Sequence, residues 1–371
     1  MRRRSLLPLF AALVATGGCR PSAPAGGERA AERPAFEESA AEPAPAMPTP
    51  YRGRREAAVT LNATCVACHP REAAEWRASR HRAAYSNAAF QEALRIEPMA
   101  FCRGCHAPES DPAADPPPPV ADLGVGCVTC HVVEQGVVLA AAPSRDGAGS
   151  SAPHPVRRSL AFARTAGCAG CHEFRSLAAP RDDDDGSFMQ TTVREHRRSP
   201  AAEIACAGCH MFVVSGRRSH AFTESRDPAW LGDRLRVTAA RAEGGRVRVT
   251  LVQTSPGHGF PTGDLFRRLE VGGEIRDERG EVVRRDVKHL ARQFAIVPGW
   301  PGRKLVADDR VFDEPKVVEL ALDPPPRVRG GTVSWWVTYQ RVATVGMGID
   351  PKEARIESEV RLHAGAFPWD G

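Results

Sequence analysis

The chain lacks any apolar run long enough to cross a bilayer beyond its first residues, which excludes a membrane-spanning helix there. It has no glycine-rich phosphate loop and no serine-nucleophile elbow, so nucleotide-driven and esterase-type chemistry have no carrier. No basic stretch interleaved with aromatic residues appears, and nothing points to nucleic acid as a partner. Residues 20 to 58 contain almost no large apolar side chains and cannot build a core; their Ala, Pro and Glu content reads as a tether. Cysteine is absent after Cys209, so whatever the cysteines do is finished before the last third of the chain.

Where cysteine does occur, it follows one pattern. Five times two cysteines stand with two residues between them and a histidine directly after: Cys65, Cys68 and His69; Cys102, Cys105 and His106; Cys127, Cys130 and His131; Cys168, Cys171 and His172; Cys206, Cys209 and His210. With 11 Cys and 12 His in 371 residues, chance placement gives only about 0.01 such motifs. The spacing is that of c-type haem attachment. The two thiols form thioethers to one porphyrin, and the adjacent histidine is held beneath the iron as its proximal ligand. Zinc ribbons do not require a histidine after every cysteine pair, and disulfide frameworks have irregular spacings. The expected cofactor load is therefore five haems c.

The remaining cysteine, Cys19, ends an export signal: Arg2, Arg3 and Arg4, a short apolar run from Leu6 to Val14, then Thr16-Gly17-Gly18-Cys19. This ending resembles a bacterial lipobox, with Thr16 where an aliphatic residue is usual, and implies a lipid on Cys19. Arg20 after it looks like sorting to the outer membrane. The formal charge of +5 includes those three signal arginines. About +2 then remains after cleavage, and ten haem propionates would bring the holo-protein to about −8, so the sequence charge misleads.

Composition changes near residue 229. The expected organisation is a signal peptide over 1–19, a tether over 20–58, a pentahaem cytochrome domain of irregular and α structure over 59–228, and an all-β domain over 229–371. In the cytochrome part, a helical fragment is expected over Arg71–Arg82 and a loop over Asp111–Pro119, with porphyrins supplying much of the core. Period-two runs begin at Leu235, Arg246, Leu269, Val282, Lys316, Thr332 and Ala354, joined by turn residues such as Glu243-Gly244-Gly245. Seven such runs predict antiparallel strands in an immunoglobulin-like sandwich.

Several landmarks together resemble the cytochrome c-554 type of multihaem cytochrome. They are Cys65 to Pro70 followed by Glu75-Trp76-Arg77-Ala78-Ser79-Arg80-His81, then Gly126 to His131, Ser151 to Pro155, and Gln190-Thr191-Thr192 leading to Cys206 to Met211. The phrase Gly257-His258-Gly259-Phe260-Pro261-Thr262-Gly263-Asp264 is similar to a loop in members with an added C-terminal β-domain. The resemblance implies an exported electron carrier with closely packed haems, largely ligated by two histidines each. It also implies distal ligands: His81 after the Trp and Ser, His154 in a proline-flanked loop, and His220 two residues before Phe222.

His258 joins this set because glycines on both sides let its loop approach a porphyrin closely. His196 and His289 are the remaining candidates, and His196 stands where the first copy of its segment has Trp76. The partners expected are redox proteins, either other cytochromes or quinol-linked donors, together with the membrane through the N-terminal lipid. The location is the periplasmic face or outer surface of the outer membrane. The competing reading is an oxidoreductase acting on a small nitrogen or sulfur compound at one five-coordinate haem, because the haem domain offers only four histidines to five irons. None of the motifs replaces its histidine with lysine, the change that would favour nitrite reduction.

Overall fold

The computed structural model describes residues 46–134, 136–141, 152–176, 185–222, 227–243, 245–300, 302–323, 330–343 and 354–369. Cys19, the expected signal peptide, the expected tether up to residue 45 and the aspartates at 182–184 lie outside the described residues; the last part of that expected tether is packed, with Arg54 paired to Glu109 at 2.7 Å and Ala58 fully buried in the helix Glu56–Cys68. The stretch from Pro43 onward is one compact unit.

Up to Gly232 the structure consists of short helices and two-stranded ribbons. The helix Pro70–Ala78 starts on a proline, whose missing N–H costs nothing in a first turn, and it buries Ala73 and Trp76, one turn apart. It ends earlier than the expected Arg82. Ser79 takes an extended backbone and its hydroxyl donates to the Trp76 carbonyl at 2.8 Å, which stops the helix. The helix Ala88–Ile96 is capped by Asn87, which accepts from the Phe90 N–H, and it turns Phe90 and Leu94 inward. The expected loop over Asp111–Pro119 gives way at Pro118, where the helix Pro118–Leu123 begins on paired prolines. The buried apolar cluster of this part is small: Ala58, Trp76, Leu123, Val128 and Val132.

From Leu235 the alternation of side chains is translated into sheets. In the strand Arg246–Gln253, Val247, Val249 and Leu251 point inward while arginines face out. One antiparallel sheet has the order Lys316–Ala321, Arg246–Gln253, Leu235–Ala242; the other runs Val282–Leu290, Arg267–Arg276, Gly331–Val342, Ile356–Trp369. Both contribute to one core, in which Val247, Val249, Leu251 and Leu320 of the first sheet meet Leu269, Val271, Ile275, Val333 and Val337 of the second. Sequence alternation did not reveal a further hairpin, Arg292–Ile296 with Arg303–Asp308, because its register shifts at Gln293/Phe294 and its connection is built on Pro and Gly. This hairpin carries Arg292, whose guanidinium donates to the carbonyls of Phe188 at 2.7 Å and Met189 at 2.8 Å in the motif-bearing part.

Candidate haem sites

Each motif occupies the last turn or the whole of a short helix: Glu56–Cys68, Ala100–His106, Cys127–His131, Ala166–His172 and Cys206–His210. Helical spacing puts the two cysteines of a motif three residues apart on one face, with the histidine four after the first. None of the ten motif cysteines forms a disulfide. Cys105 lies beside Cys171, and Cys168 beside Cys206. Cys127 lies near Cys65, and Cys130 near Cys171. The second motif therefore adjoins the fourth, the fourth the fifth, the first the third, and the third the fourth. Burial pushes the Cys127 thiol up to about 11 and Cys130 to about 12, their neighbouring cysteines adding to it.

Three motif histidines face a second imidazole. His172 faces His81, His131 faces His220 and His210 faces His258, and in each pair the ring centroids are 6.2 Å apart. One metal ion bonded by a nitrogen of each ring would set this separation. Two bonds of about 2 Å and about 1.1 Å from each nitrogen to its ring centre reach roughly 6.2 Å. Among the described residues no group of three or more His, Cys, Asp or Glu converges to hold a bare metal ion. Two opposed imidazoles per metal suit an ion whose other ligands come from a porphyrin.

The rings are prepared for that role. Burial, with His172 beside it, pushes His81 down to about 3, and burial with His258 beside it pushes His210 down to about 4, so both are neutral as ligation requires. His106 and His131 direct Nδ1 at the carbonyls of Ala84 and Leu139, each at 2.8 Å, and His220 and His258 direct Nδ1 at Arg218 and Gly259, each at 3.1 Å. A proton on Nδ1 satisfies each carbonyl and leaves the Nε2 lone pair for a metal.

Local structure presents each opposed ring. His81 sits in the turn after Ser79, where its carbonyl accepts from Val125 N–H at 2.9 Å while Trp76 Nε1 donates to the Val125 carbonyl at 2.8 Å. Gly124 makes this crossing possible: its φ is +55° and a Cβ there would collide with the carbonyls of His81 and Arg82. His220 is held by Glu75, which accepts from its backbone N–H at 2.8 Å and is itself gripped by Arg217 at 2.6 Å. Phe222 packs edge-on against His81 at 4.2 Å and against His220 at 6.2 Å, bracing two of the rings together. The His258 loop belongs to the β-rich part. Its glycines work differently from the sequence expectation: a Cβ at Gly257 would meet only Ala201, at 3.9 Å, and the close approach at Gly259 is to Arg310 and Phe312.

The other candidates are placed differently. His196 is buried with Nδ1 3.0 Å from the Gly257 carbonyl and Nε2 2.9 Å from the Ile204 carbonyl, so neither nitrogen is offered to a metal. His289 lies on the strand Val282–Leu290 with Nε2 3.7 Å from Glu270. His154 is partly buried, its Nδ1 lacks a hydrogen-bond partner, and no ring contact joins it to another histidine. No described imidazole faces His106 in a ring contact. Its flank is covered by Phe90, stacked at 3.8 Å and 7°, and Asp264, Arg267 and Arg341 of the β-rich part lie nearby. Asp264 and Arg267 are half-buried, each keeping 28% of its side-chain surface accessible. Arg267 donates to the Tyr339 hydroxyl at 3.0 Å.

Residues 64–132, which hold the first three motifs, match the family described as cytochrome c554 and c-prime. The fold is similar to the crystal structure of a penta-heme cytochrome c552 from Thermochromatium tepidum, with a TM-score of 0.60 and 18% identity, covering 86% of this chain and 100% of that one. A superoxide reductase (neelaredoxin) from Archaeoglobus fulgidus in the reduced form aligns with a TM-score of only 0.17 and 12% identity, over 38% of this chain and 94% of that one, and no argument rests on it. No curated protein matches the chain. The chain thus carries five haem-attachment motifs, three of them in a segment that matches the cytochrome c554 and c-prime family, on a fold similar to that of a penta-heme cytochrome.

Proposed function

We propose that the protein is an electron carrier holding five haems c and working between redox partners of the periplasm or outer membrane. The observation that carries this reading is the set of three imidazole pairs with centroids 6.2 Å apart, which leave no free axial position at three irons. Haem supplies the one-electron iron chemistry. The chain's part is to hold and order the sites: ten cysteines, nine of them half-buried and Cys68 exposed, fix the porphyrins, and the adjacency of the motifs at Cys65–Cys127, Cys130–Cys171, Cys105–Cys171 and Cys168–Cys206 supports one continuous array. His69, like His106, faces no described imidazole in a ring contact, and His154, whose Nδ1 makes no hydrogen bond, is proposed for one of these two irons.

A specific observation favours the second reading, an oxidoreductase acting on a small nitrogen or sulfur compound: two motif histidines, His69 and His106, face no described imidazole, one more than His154 can serve, and an open position is what an iron needs to bind a substrate. Mass measurement of the denatured protein and low-temperature EPR of the native one separate the readings. Five covalent haems are expected, and fewer from a host with a competent attachment system would reject the stoichiometry. A spectrum without a high-spin signal removes the second reading; one high-spin haem that takes up cyanide or nitric oxide supports it.

The seven long strands are read as an immunoglobulin-like sandwich in a domain starting near residue 229. In chain order, the first, second and fifth form one sheet and the third, fourth, sixth and seventh the other, so the connections cross between sheets as in that fold. No helix among the described residues is long and apolar enough to cross a membrane, and anchoring is assigned to a lipid on Cys19. Cys19→Ser should move the protein from the membrane to the soluble fraction with its haems intact. A wild type already soluble would overturn the anchor.

A further inference from the structure

Two adjacent residues of the helix Thr192–Arg198, Glu195 and His196, grip the loop that carries His258 from both sides. The Glu195 side chain is only 7% exposed, and its two oxygens take four donors. Oε1 accepts from Arg310 at 2.6 Å and from the Thr191 hydroxyl; Oε2 accepts from the Gly259 N–H at 3.0 Å and the Thr262 hydroxyl at 3.0 Å. His196 Nδ1 lies 3.0 Å from the Gly257 carbonyl. The peptide groups on both sides of His258 are thus held from one helix, while Gln253 donates to the carbonyl of His258 itself at 3.0 Å and Arg310 to that of Pro261 at 3.2 Å. A buried ion pair is a costly way to fill space, since apolar residues of the same volume often stabilise as well or better. What four charge-assisted or directional bonds add is a fixed geometry, and here that geometry belongs to the ring that faces His210 with its plane only 12° away.

We propose that Glu195 is a positioning residue for His258, fixing the plane of its imidazole against the iron of the fifth motif. The inference rests on the reading that His258 ligates that iron. Glu195→Gln keeps the shape but replaces one acceptor oxygen with an amide donor, which faces the donors of Arg310 or of Gly259 and Thr262. Thr262→Val is the milder variant, removing one of the four donors. In the haem-loaded protein, both should retain every haem while shifting the g-values of one low-spin EPR signal and moving the midpoint potential of that haem, more in Glu195→Gln than in Thr262→Val. His258→Ala is measured beside them. If His258→Ala gains a high-spin haem while the other two variants only lower the melting temperature, with every g-value and potential unchanged, the positioning role is rejected and the ligation stands. If His258→Ala changes no spin state, the ligation reading fails and the positioning role with it.

Discussion

Replacing His258 with Ala should convert one low-spin haem to high spin and raise its midpoint potential, with the number of bound haems unchanged. The motif thiols Cys206 and Cys209 remain, so the porphyrin stays attached, but a methyl group cannot replace the ring whose centroid lies 6.2 Å from that of His210. Imidazole donation stabilises the ferric iron, so its loss favours the reduced state. A rise on the order of 0.1 V is expected, a modest part of the roughly 0.8 V range that axial ligands command. His289→Ala is the informative control: its ring lies on the strand Val282–Leu290 and approaches Glu270, so its loss should leave the spin-state count unchanged. An unchanged count in His258→Ala, by EPR and optical titration, would reject the assignment.

Withholding haem should leave the motif-bearing part unfolded while the β-rich part still folds. The cluster that unites the two sheets contains eighteen buried residues, among them Leu251, Leu269, Ile275, Leu320 and Val337, whereas the cluster around Trp76 contains five. With so small an apolar cluster, the motif-bearing part depends on the porphyrins and their iron bonds for most of its core. Protein made without a haem-attachment system should therefore yield, on limited proteolysis, a resistant fragment beginning near Leu231, with amide protection confined to the strands after it. Protection extending through the helices Glu56–Cys68 and Ala166–His172 in haem-free protein would overturn this account.

Local signals were legible in the sequence and long-range ones were not. The five motifs are covalent chemistry written within five residues each, and strands such as Arg246–Gln253 betray themselves by alternation. The pairing of His172 with His81 or of His210 with His258 was not legible, because it depends on chain crossings such as the one at Gly124. Nothing in the sequence marks Glu195 as buried, because its partner Arg310 stands over a hundred residues later. His196, by contrast, already stood out in a place where its counterpart is Trp76, and it is indeed buried, though its contacts are polar.

The three opposed pairs also have a topology as chain closures. Residues 81 to 172, 131 to 220 and 210 to 258 form successive loops, each overlapping the next. With an iron closing every gap, the chain from His81 to His258 becomes a series of interlocked staples, acting on the unfolded ensemble as disulfides do by removing loop entropy. Opening one staple leaves the segments on either side still tied by its neighbours. Loss of a single axial bond should therefore be a local event, and unravelling should require several to fail together.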